Sequence, residues 1–253
     1  MRAMIDGGEG SAMAADQKQS GYFVGVAAFG LFIAAAGFSK TFFAPLAAGS
    51  FKAPLVVYVH GAAAFAFIAL FVGQTVLARA GRYDWHVRAG AFGALLAVVV
   101  ATSAIPVGVY AVKRDLAAGL GDSAMSSLVG VVTSMSLFLA LVSAAVALRG
   151  KPAYHKRLML LALFIVLWPA FFRLRHWFPG IPRPEWWLAI AAPYSLIPLS
   201  MARDAFHEGR IHPVWFFVGL PVVAEQTAEA ALYDSPAWRA VAAALFGALS
   251  GAT

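Results

Sequence analysis

Charged residues divide this chain into long uncharged intervals, and that spacing limits its fold more than any other feature. Lys52 and Arg79 enclose 26 uncharged residues, Arg88 and Lys113 enclose 24, Asp122 and Arg149 enclose 26, and Lys18 and Lys40 enclose 21. An apolar helix needs about 20 residues to cross the hydrocarbon layer of a bilayer. Each of the four intervals is therefore long enough for one crossing. Three more are shorter. Arg157 to Arg173 leaves 15, which requires Lys156, Arg157, Arg173 and Arg175 to reach back to the headgroups. Glu185 to Arg203 leaves 17, with Pro193 and Pro198 expected to kink the helix. Arg210 to Glu225 leaves 14, opening at Pro213, a favoured first helical residue. This last helix either continues to about Leu232, with Glu225 and Glu229 on one face, or is re-entrant.

Composition agrees with the spacing. Of the 253 residues, 61% are apolar and 12% are charged, against about 25% charged in a soluble domain. A soluble enzyme domain and a disordered chain are both excluded. The chain has no cysteine, which removes disulfides, thiolate metal centres and iron–sulfur clusters. The net charge of +7 is spread singly between apolar runs. That pattern suits lipid headgroups and loop topology, and it argues against a nucleic-acid partner.

The expected fold is an all-α, polytopic transmembrane bundle of seven spans, with six as the alternative. Residues 1–19 read as a disordered tail without the apolar core of a signal peptide. Residues 20–232 form the membrane domain, and 233–253 an interfacial segment. Eleven Lys/Arg lie in the tail and the 79–88, 149–157 and 203–210 loops, and eight lie on the other side. That bias places the N-terminus in the cytoplasm and the protein in a bacterial inner membrane.

Two turns resemble one another. Gly81-Arg82-Tyr83-Asp84-Trp85-His86-Val87-Arg88 and Gly150-Lys151-Pro152-Ala153-Tyr154-His155-Lys156-Arg157 share Gly, His and Arg at equal spacing, with an aromatic residue before each His. They suggest two central helical hairpins in parallel repeat. The run His60, Gln74, Gly81-Arg82, His86, Gly90, followed by Pro152 and His155-Lys156-Arg157-Leu158-Met159, is similar to a large group of bacterial multi-pass inner-membrane proteins without an established activity. That resemblance covers roughly residues 55–175 and implies architecture, not chemistry. More distantly, the placement of histidines at helix ends is similar to the transmembrane b-type cytochromes, a likeness of pattern alone.

The histidines carry the functional expectation. His86 and His155 occupy equivalent positions at one membrane edge. His60, 21 residues before Gly81, and His176, 21 after His155, fall near the other edge. Two imidazoles from different helices are the ligand set of haem b, and arginines at the surface meet its propionates. Arg82, Arg88 and Arg157 fit that role for the His86–His155 pair. The expected function is electron transfer with quinone or another redox partner. A cofactor-free subunit or assembly factor of a membrane complex, with structural histidines, is the alternative. A third reading gathers His86, His155, His207, His212, Asp84 and Asp204 around a divalent metal, as a membrane enzyme. No single-helix metal motif supports that set.

Overall fold

The computed structural model describes residues 21–251; the expected tail at 1–19 lies outside them. Among the described residues every regular element is helical. Five helices are long and apolar enough to cross a membrane: α1 (Gly21–Ala47), α2 (Leu55–Arg79), α3 (Tyr83–Ala117), α4 (Gly121–Ala147) and α5 (Pro152–His176). Three follow: α6 (184–208), α7 (213–232) and α8 (Pro236–Ser250). The expected count of seven spans is met by five on length and apolarity. α6 and α7 fall short because charged residues interrupt them and their backbones are irregular.

Proline sets that irregularity. Wide, π-type turns occur at Ser39–Phe43, Trp187–Ala191 and Trp215–Gly219. Each lies two residues ahead of a proline: Pro45, Pro193 and Pro221. A proline ring donates no hydrogen bond and collides with the carbonyl four residues earlier. Here those carbonyls belong to Thr41, Ala189 and Phe217, all inside the widened turns. Pro106 in α3 and Pro169 in α5 are carried without such a turn.

The helices run up and down. The beginnings of α1, α3, α5 and α7 and the ends of α2, α4 and α6 share one end of the bundle, called here the histidine end. There, Tyr22 meets Ser200, Lys156 lies over Phe23, and Trp215 bonds Asp204. At the far end, Lys40 donates to the His176 carbonyl and Trp177 donates to Ala36 O and Ser39 Oγ. α7 continues to Leu232, as the first of the two expected alternatives had it. α8 then folds over the far end, where Leu245, Phe246 and Leu249 pack on Val109, Val112 and Leu128.

α5 is the central helix. Leu160 to Phe164 is an unbroken buried run, at 0% exposure each. α1 crosses it closely at two glycines. A Cβ on Gly30 would stand 2.9 Å from Leu167 Cδ1, and one on Gly37 would lie 2.8 Å from the Ala170 carbonyl carbon. Small residues that permit such contact are typical of helix pairs in lipid. Meanwhile Phe32, Leu55, Phe92, Leu95 and Phe217 point outward and stay exposed. An apolar outer face over a packed interior fits a protein whose solvent is lipid.

Candidate functional site

The two-hairpin repeat creates a histidine pair. His86 and His155 each open a helix, α3 and α5, directly after a short turn. His155 Nδ1 lies 2.8 Å from Ala145 O, and His86 Nδ1 lies 3.2 Å from Gln74 O. Each imidazole thus ties its helix to a carbonyl near the end of the preceding one. The two rings meet edge to face, with centroids 6.2 Å apart and planes at 81°. The turns are not copies in backbone: Gly81 is left-handed, with φ of 68°, and Gly150 is not. What the repeat preserves is the histidine's attachment.

Tautomers follow from these partners. A carbonyl oxygen only accepts, so His155 carries its proton on Nδ1 when neutral and presents a lone pair at Nε2. His86 Nδ1 has two neighbours. Besides the Gln74 carbonyl, the Gln74 side chain lies beside it. With that amide oriented to satisfy both ends, its nitrogen is 3.0 Å from His86 O and 2.7 Å from Nδ1, and its oxygen accepts from Gly90 N at 3.2 Å. The position of the His86 proton depends on which Gln74 group Nδ1 engages.

His60 and His176 have separate partners. His60 Nδ1 lies 3.0 Å from Ser103 Oγ on α3. His176 is exposed, and its carbonyl receives Lys40. Among the described contacts none joins the two. Of the three arginines expected near a haem, Arg82 and Arg88 are exposed beside His86, with Arg88 over the Trp85 ring at 5.9 Å.

Arg157 is different, and here the expectation is corrected. Its side chain is 0% exposed, so it neither reaches back to the headgroups nor remains available to a propionate. Its Nε and Nη2 hold Asp204 Oδ2 and Oδ1, each at 2.7 Å. Nη2 also holds Glu208 Oε2 at 2.7 Å, and Nη1 holds Ala153 O at 2.8 Å. Trp215 Nε1 donates to Asp204 Oδ2 at 2.7 Å. Arg203 Nη1 reaches Asp204 Oδ1 at 2.9 Å and Glu208 Oε1 at 2.7 Å. Five residues from three helices form one buried ionic cluster at the histidine end.

That cluster occupies residues of the third reading. Asp204 is taken by two arginines and a tryptophan. His212 meets Tyr154 edge to face, with ring centroids 4.7 Å apart, and its Nδ1 accepts from Val214 N. His207 and Asp84 are exposed. Among the described residues no three His, Asp or Glu side chains are grouped as metal ligands. The histidine end brings His86 and His155 together and leaves the remaining four apart from them.

A second polar group lies nearer the far end. Gln226, 2% exposed, accepts from Tyr194 at 2.9 Å and donates to Ser134 at 3.0 Å and Glu225 at 2.7 Å. Glu229 pairs with Thr133 and lies against Gly130. The i, i+4 spacing of Glu225 and Glu229 was visible in the sequence, but nothing in the spacing paired Glu229 with Thr133 on α4 or Gln226 with Tyr194 on α6. The same is true of the Arg157 cluster, whose one hint was a basic pair at 156–157 and acids four apart at 204 and 208.

The chain matches no family model, no curated protein and no solved structure. Geometry alone carries the functional argument.

Proposed function

We propose that this protein is a seven-span bacterial inner-membrane protein that binds a b-type haem between His86 and His155 and carries electrons to or from a membrane-bound partner. The observation that supports it is the pairing of those two rings from equivalent positions of two hairpins. The ring centroids stand 6.2 Å apart on two different helices, and two imidazoles from different helices are the ligand set that a b-type haem takes. Haem would supply one-electron exchange.

The chain's own residues hold and orient the pair. Ala145 O fixes the His155 tautomer that leaves Nε2 free, as carbonyl partners do for ligating histidines. Arg82 and Arg88 remain for the propionates, and Arg157 does not. Seven crossings are supported by α6 and α7 lying between the two ends of the bundle beside the five longer helices. The excess of Lys/Arg at the histidine end favours that end as cytoplasmic.

A second reading rests on the Gln74 amide, whose nitrogen stands 2.7 Å from His86 Nδ1. Held there, the neutral His86 ring carries its proton on Nε2, and the histidines serve as latches between hairpin helices in a cofactor-free membrane subunit. An absorption spectrum of the detergent-purified full chain, oxidised and dithionite-reduced, with pyridine haemochrome quantitation, separates the two. The haem reading expects a reduced α band and near-stoichiometric haem, both lost in His86→Ala and His155→Ala. A colourless protein from haem-replete cells sinks it and leaves the latch.

A further inference from the structure

The ionic cluster at the histidine end holds one more cation than anions. Lys156, Arg157 and Arg203 meet Asp204 and Glu208. Arg157 uses every nitrogen. Arg203 uses Nη1 alone. Its Nε and Nη2 are buried and meet no hydrogen-bond partner among the described residues, although the side chain is only 5% exposed. Nε and Nη2 share one edge of the guanidinium, the two-pronged edge that matches an oxyanion. Arg157 presents the same edge to Asp204. Leaving such donors unmet inside a protein is costly.

The surplus is local. Lys156 Nζ and Arg203 Nη1 share one oxygen, Glu208 Oε1, at 3.4 and 2.7 Å. Both cations also lie over the ring of Phe23, at 5.1 and 5.2 Å. Their side of the cluster is bounded by the first turn of α1, the first turns of α5 and the last turn of α6. Those are helix ends, and the ends of helices long enough to cross a bilayer lie near its phosphates. Lys156 and Glu208, at 30% and 22% side-chain exposure, form its rim.

We propose that the unmet edge of Arg203, with Lys156 at the rim, binds one phosphate oxyanion. A single negative charge offsets the surplus. The phosphodiester of an anionic lipid headgroup carries that charge at this depth, and inorganic phosphate is the other source of the same chemistry. The proposal is independent of haem at His86 and His155.

The test uses the purified full chain in phosphatidylcholine nanodiscs, followed by thermal melting and native mass spectrometry. Added phosphatidylglycerol is expected to raise the melting temperature saturably and to leave one retained lipid. Arg203→Lys keeps the charge but removes the two-pronged edge, and weakens binding about tenfold. Lys156→Gln, at the half-exposed rim, weakens it about threefold and serves if Arg203→Lys fails to fold. Stabilisation by inorganic phosphate alone, equally sensitive to the variants, keeps the site and assigns it to free phosphate. Absence of any effect from both ligands overturns the proposal, as does binding unchanged in the variants.

Discussion

Arg157 and Asp204 meet edge to edge inside the bundle, Nε to Oδ2 and Nη2 to Oδ1 at 2.7 Å each, with side chains 0% and 2% exposed. The pair joins α5 to α6, and Arg157 and Lys156 both hold Glu208 of α6 beside it. Removing Arg157 leaves Asp204 to Arg203 and Trp215 and takes the guanidinium away from Glu208 and the Ala153 carbonyl as well. Arg157→Ala is expected to cost about 3–5 kcal/mol, because two carboxylates then share Arg203 at a site with little water. The double replacement Arg157→Met with Asp204→Leu recovers most of that loss. Thermal melting of the three variants in one detergent checks this, and a double variant as unstable as the single one contradicts it.

Gly37 governs how closely α1 approaches α5. A methyl group there meets the Ala170 backbone, which has no rotamer with which to yield. Gly37→Ala is expected to lower stability by about 1–3 kcal/mol, the usual cost of overpacking. Gly25→Ala is the matched control, since a Cβ there has nothing within 4 Å. It should be neutral, or stabilise by up to about 1 kcal/mol through helix propensity. The close approach falls at Gly30 and Gly37, not at the small-residue pair Gly21 and Gly25 near the start of the helix.

His212 lies in the loop between α6 and α7, packed on Tyr154. Burial first, then the Arg157 guanidinium, pushes its imidazole below the usual histidine range. The folded state therefore favours the neutral ring, and the unfolded chain takes up the proton at higher pH. The contribution is present above about pH 6.5 and is lost as pH falls through the lower folded value. Melting temperature should drop more steeply between about pH 7 and pH 5 in the wild type than in His212→Gln. Parallel pH profiles would remove His212 as a contributor.

Gln226 ties α7 to α4 and α6 through Ser134 and Tyr194. Gln226→Leu keeps the volume and strands the Tyr194 hydroxyl, and a loss of about 1–3 kcal/mol is expected. Tyr194→Phe added to it removes the stranded hydroxyl and should restore part of the stability. A double-mutant cycle by thermal melting reads the coupling directly, and additive losses would show that the two side chains act separately.

Much of the fold was legible in one dimension. The bilayer demands apolar helices of a minimum length, so the gaps between charges in α1 to α5 revealed crossings without any knowledge of packing. The likeness of the 81–88 and 150–157 turns likewise marked His86 and His155 as equivalent, because a short helical hairpin restricts which residues can reach back to the preceding helix. α6 and α7 were harder, since prolines and charges weaken the hydropathy signal that makes the other five plain.

What only the tertiary structure decided was which charges pay to be buried. Lys156 and Arg157 are adjacent in sequence, yet the helical turn aims one at the rim and the other at Asp204, 47 positions away. A snorkelling arginine and a fully enclosed one have the same local sequence. The difference lies in whether another helix delivers a carboxylate to the same depth. The unmet edge of Arg203 is hidden for the same reason: an unmatched donor is a property of the assembled neighbourhood, and spacing along the chain contains no record of it.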